Sequence, residues 1–161
     1  MISANGGAWA HQTPELNNKV RSFKFEEGDI ITCIVDPESK KIYFVKESDI
    51  SELHVRTKET FELSFEGFEE QPLHPCVTIH YVDNSIEYIP ATNTSQIPKY
   101  DYLFSSSLKH AQIEVINTKS AMICDDGNAA NGYRSCLFNK AVFDDNWNTK
   151  RHFSFRIANC S

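Results

Sequence analysis

Between residues 28 and 45 the chain reads Gly28-Asp29-Ile30-Ile31-Thr32-Cys33-Ile34-Val35-Asp36-Pro37 and, four residues on, Ile42-Tyr43-Phe44-Val45. Ile30 to Val35 is apolar and mostly β-branched, too short for a helix and bracketed by turn formers, which predicts a buried central strand. Pro37 has a fixed φ and no N–H, so it suits the second position of a turn. Ile42 to Val45 then returns antiparallel. A hairpin at the centre of a sheet is the feature around which the remainder must be arranged.

The other segments extend that reading. Phe61 to Glu66 alternates apolar and polar residues at period two, as a half-buried strand does. Gln71-Pro72-Leu73-His74-Pro75 is a stiff entry into Cys76–Val82, and Asp83-Asn84 predicts a two-residue turn returning through Ser85–Ile89. Further strands are expected at Ala111–Ile116, Ala121–Cys124, Tyr133–Phe138 and His152–Ile157, with turns at 125–128 and 144–148. Ala8–His11 reads as a short strand in an otherwise looped N-terminal stretch. Lys46 to Glu59 is charged and without strong period, a connecting strand or loop on the surface. Pro90–Lys99 is polar, proline-bracketed and aperiodic, the one linker. No long amphipathic helix and no internal repeat is present. The pattern is all-β, an antiparallel β-sandwich.

Composition narrows the partners. The 161 residues amount to one domain, and 11 phenylalanines favour a strand-built core. A net charge of −6 argues against nucleic acid or an anionic membrane, and no apolar run approaches the roughly 18 residues that span a bilayer. The N-terminus lacks a signal-peptide layout, so a cytoplasmic protein is expected. The 5 cysteines are odd in number and never at C-x-x-C spacing, which suits packed free thiols better than disulfides or zinc. Asn93-Thr94-Ser95 and Asn159-Cys160-Ser161 then read as chance glycosylation matches.

The residues give little support for catalysis. The 6 histidines form no His-x-x-x-His pair, and neither a Gly-x-Ser-x-Gly elbow nor a P-loop occurs. Asp125-Asp126 and Asp144-Asp145 are neighbours in turns, whereas glycoside hydrolysis needs acids facing each other across several ångströms. No enzyme, no cofactor and no metal site is expected.

Phe25-Glu26-Glu27-Gly28-Asp29-Ile30-Ile31-Thr32-Cys33-Ile34-Val35-Asp36 with Lys41-Ile42-Tyr43-Phe44 resembles the SPRY (B30.2-like) domain family, a concanavalin-like jelly roll. Leu73-His74-Pro75-Cys76-Val77-Thr78-Ile79 looks like that family's late strand, and Gly6-Gly7-Ala8-Trp9-Ala10-His11 like the strand before its central hairpin. Residues 1–89 thus resemble the family's C-terminal part and 104–161 its N-terminal part, closing on His152–Ile157, with 90–103 between them. The two parts stand in reversed order. Three arrangements account for this: a circular permutant, two half-domains each completed by another chain, or an artificial joining of the parts. The permutant is preferred, because unpaired half-sandwiches would leave long edges open.

The resemblance implies a module that recognises a peptide or protein through loops at the sandwich edge, in some members recruiting substrates for a ubiquitin ligase or scaffold assembly. Rigid sheets holding variable loops give that function a physical basis. Trp9, His11 and Trp147 are the candidate anchors, since Trp is enriched at binding hot spots. Asp144, Asp145 and Arg134 are candidate polar contacts, and Lys150-Arg151 could meet an acidic segment. The alternative is a carbohydrate-binding or hydrolytic jelly roll, because exposed aromatics also stack on sugars. The chain is expected to be a monomer or a strand-exchanged dimer.

Overall fold

A computed structural model describes residues 2–8, 19–50, 55–64, 74–79, 84–89, 102–117, 121–124, 134–139 and 150–159. The strands in chain order are β1 (Ile30–Asp36), β2 (Lys41–Ile50), β3 (Val55–Ser64), β4 (Cys76–Ile79), β5 (Ser85–Ile89), β6 (Phe104–Lys109), β7 (Ile113–Asn117), β8 (Ala121–Cys124), β9 (Arg134–Phe138) and β10 (Arg151–Asn159). No helix occurs among the described residues, and so none that is long and apolar enough to cross a membrane.

The hairpin predicted from Ile30 to Val45 is β1–β2, paired from Asp36↔Lys41 to Ile30↔Glu47. Its turn is held by the Lys40 N–H donating to the Pro37 carbonyl (3.3 Å) and the Ser39 N–H to Asp36 Oδ1 (3.3 Å). Lys40 closes the turn in the left-handed region, at φ 52°. At the other end Gly28 takes φ 90°, which a side chain would disfavour, and the Asp29 N–H donates to the Glu26 carbonyl (3.1 Å). Asp29 is buried, its carboxylate accepting from the Glu26 N–H (2.9 Å) and from the Ser48 hydroxyl. A charge withdrawn from water is thereby given hydrogen bonds.

All pairings are antiparallel and build two sheets, one of 7 strands in the order β3-β2-β1-β10-β5-β8-β7 and one of 3 in the order β4-β9-β6. β1 and β10, 122 residues apart at the Thr32–Ser154 hydroxyl contact (2.9 Å), lie side by side, and Gly28 and Asp29 extend the pairing by exchanging hydrogen bonds with Ile157.

Several expectations are corrected. Of the strand or loop expected for the charged Lys46–Glu59 stretch, the structure shows strand, mostly the body of β2 and β3, paired from Lys41↔Ser64 to Ile50↔Val55. It lacks an apolar period because Lys46 and Glu59, directly opposite each other on the inner face, form an ion pair. Cys76–Ile79 and Ser85–Ile89 are not a hairpin, since β4 and β5 belong to different sheets and the chain changes layers between them. Among the described residues of the N-terminal stretch single bridges form, Ile2 with Ala8 and Gly7 with Arg21; of the strand expected at Ala8–His11, residues 9–11 lie outside the described residues. Most of the expected linker also lies outside them, but Tyr102, near its end, is 4% exposed and belongs to the core.

Period-two alternation decides which side chains meet between the sheets. From the large sheet come Val35, Tyr88, Ile113 and Phe153; from the small one come Val77, Ile79, Phe104, Cys136 and Phe138. Phe104 stacks on Phe138 and Tyr102 meets Phe153 edge-on, each with ring centroids 4.7 Å apart. Fully burying such a side chain stabilises by roughly 1.5–3 kcal/mol.

Toward β3 the same face of the large sheet is covered differently. Phe23, Ile31 and Ile157 are buried together, with Ile2, Phe25, Phe44 and Phe61 partly buried around them. Here the cover includes the N-terminal segment, bound by the Ser22 N–H to the Gly6 carbonyl (2.9 Å) and the Phe25 N–H to the Ala4 carbonyl (3.1 Å).

Candidate functional site

β6 and β7 are edge strands of different sheets, joined by the three-residue corner 110–112, so two strand edges meet at one end of the sandwich. β6 does not pair evenly. Phe104 is opposite Phe138 and Lys109 opposite Cys136, so 105–108 bulge away from β9. The sequence Ser105-Ser106-Ser107 permits this, because a serine hydroxyl can replace a strand partner for nearby backbone groups. Ser105, 5% exposed, turns its Oγ to accept from the N–H groups of Leu108 (2.9 Å) and Ser107 (3.3 Å). The bulge leaves Leu108 45% exposed, and on β7 Ile116 is 54% exposed.

The corner itself is braced. The His110 N–H donates to the Ser135 carbonyl (2.9 Å) and the Ile113 N–H to the His110 carbonyl (3.0 Å). Lys109 Nζ donates to the Ile113 carbonyl (2.5 Å). Gln112 Oε1 accepts from Arg134 Nε at 2.7 Å. The result is a shallow groove of about 480 Å³ lined by Ser106, Lys109, Ala111, Gln112, Glu114 and Val115 among others. One hydroxyl, one amide, one cation and one anion line it, and the exposed Leu108 and Ile116 belong to the same two strands. That mixture suits an extended polypeptide, whose backbone needs hydrogen-bond partners and whose side chains need varied surfaces.

Arg134, expected as a partner contact, is 3% exposed and points with Cys136 and Phe138 into the sandwich, where it braces this corner. Arg151 is 1% exposed, which removes it from the surface expected of Lys150-Arg151, and Lys150 is joined to Asp36 Oδ2 at 2.8 Å. Trp9, His11, Asp144, Asp145 and Trp147 lie outside the described residues. Sequence reasoning missed Ser105, Leu108, Lys109, Gln112 and Ile116. Three consecutive serines in a strand were the available signal.

The titratable groups are quiet. Burial pushes the Cys33 thiol up to about 12 and the Cys136 thiol up to about 11, and burial also raises Cys76. Thiols so placed stay protonated near neutral pH, which is unfavourable for nucleophilic attack. Burial, followed by the nearby Lys150 charge, holds His152 below its usual 6.5. Burial would raise Asp36, but hydrogen bonds from Lys150 and Ser39 outweigh it and hold the carboxyl below its usual 3.8. Among the described residues no three His, Cys, Asp or Glu side chains gather to hold a metal. Comparison of the chain with protein-family models, with curated proteins and with solved structures found no match.

Proposed function

We propose that this chain is a protein-interaction module, a circularly permuted sandwich of the SPRY-like type that takes an extended peptide or a protein surface at its edge. The observation that carries the reading is the seam between β1 and β10. The two segments that resemble opposite parts of such a domain form one sheet, with Val35 and Phe153 in one core. The β6–β7 groove is the binding edge, where backbone groups of β7 pair with the peptide and Leu108 and Ile116 supply apolar contacts. Trp9 and Trp147 are the aromatic anchors this reading assigns. Recruitment of a substrate to a ubiquitin ligase or scaffold assembly is the role the resemblance suggests.

The test is a displayed library of random peptides panned against the chain, in parallel with a glycan array. Enrichment of a peptide consensus whose binding falls at least tenfold with Leu108→Asp or Ile116→Asp supports the reading. Glycan binding without peptide enrichment overturns it.

A further inference from the structure

β3 ends the seven-stranded sheet at the far side from the groove, and among the described residues its only strand neighbour is β2. It is 10 residues long, twice the length of β7 at the opposite end. Among the described residues nothing pairs with its other side, a row of backbone donors and acceptors of the kind that another strand can complete. Proteins often blunt such an edge with charges of one sign. Here the signs are mixed and ordered: Lys58, Thr60 and Glu62 share the outer face, all exposed, while Glu59 and Phe61 share the inner face.

We infer that β3 is a self-pairing edge through which two copies of this chain form a two-fold dimer centred on Thr60, joining their large sheets into one. A two-fold axis perpendicular to a sheet keeps every side chain on its own face, so paired residues must differ by an even number. That leaves few registers near the middle of the strand. Centring on Glu59 sets Arg56 opposite Glu62 twice, but it also sets the Glu59 carboxylate against its own copy on the inner face, which repels. Centring on Phe61 sets Lys58 opposite Ser64 and Thr60 opposite Glu62, with no ion pair. Centring on Thr60 sets Lys58 opposite Glu62 twice, once on each side of the axis, with Thr57 opposite Leu63 and Glu59 opposite Phe61 on the inner face, and sets no like charges against each other. Charge self-complementarity selects this register. A dimer so formed carries its two β6–β7 grooves at its outer ends, both open.

The full chain is tested by analytical ultracentrifugation across the micromolar range and by oxidation of Thr60→Cys. Expected is a reversible shift from monomer to dimer mass, and a disulfide-linked dimer whose mapped bridge joins Cys at 60 in both copies. Thr60→Lys and Thr60→Glu should each be monomeric at every concentration, because like charges then face each other across the axis. Mixing the two should restore dimer, which a general loss of fold would not do. A monomer at all concentrations, a bridge mapped to a native cysteine alone, or failure of the mixture to associate overturns the inference. Peptide binding at the groove is read separately, so either proposal can fail alone.

Discussion

The two ends of the large sheet are finished by different means. Toward β7 a second sheet lies over it, and the interface is a stack of rings, Tyr88, Tyr102, Phe104, Phe138 and Phe153, each no more than 4% exposed. Toward β3 the cover includes an N-terminal segment with two single bridges, and Phe44 and Phe61 are only partly buried. One end is therefore rigid and can hold a corner, a bulge and a groove in fixed relation. The other keeps a long, straight strand edge whose order comes mainly from its own ladder to β2. Rigidity and an open edge are placed at opposite ends of one layer.

The sharpest way to break this contrast is to remove one ring from beneath each cover. Phe153→Ala should lose about 3–5 kcal/mol in chemical denaturation, through transfer and cavity costs together, and Phe61→Ala less than about half of that. Equal losses would mean that the β3 end is as tightly packed as the β7 end. A second comparison concerns polar supports. Gln112→Ala takes an acceptor from the buried Arg134 and should cost about 1.5–3 kcal/mol, with weaker peptide capture at the groove. Glu62→Gln, which breaks the exposed pair with Lys41 (2.9 Å), should leave the unfolding midpoint within experimental scatter when read at a concentration where the chain is monomeric. If the two variants behaved alike, the brace at the corner would be incidental.

The smallest effect is at the seam between the ends. His152 has its value lowered by folding, so the unfolded chain binds the proton more readily and stability rises with pH. Its contribution is complete above 6.5 and is lost as pH falls through the lowered folded value. His152→Gln should flatten the decline in unfolding midpoint between about pH 7 and pH 5. An unchanged slope would remove His152 as its source.

What could be read from the residues follows from these physical differences. The β1–β2 hairpin was legible because an apolar run between Gly28-Asp29 and Asp36-Pro37 has few other outcomes, and β10 because Phe153 and Phe155 alternate with polar neighbours. β3 was only half legible: Thr57 to Thr60 carries its cross-strand pairing in charges, which hydrophobic period does not detect. The change of layers after β4 was hidden, since a turn between two strand-like runs looks the same whether they pair or part. Arg134 was misplaced by attention to its charge. Counting by twos from Cys136 and Phe138 would have put it inside. The Ser105–Leu108 bulge depends on a hydroxyl replacing a strand partner, which no periodic pattern encodes.

The central claim is that the first and last strands of this chain meet within one molecule, and isotope-filtered NMR on a mixed sample tests it most directly. With equal parts of labelled and unlabelled chain, Thr32–Ser154 and Cys33–Phe153 cross-strand contacts should appear only within a molecule, whatever the oligomeric state. Their appearance between molecules, or their absence, would contradict the single sandwich from which the proposed function is drawn.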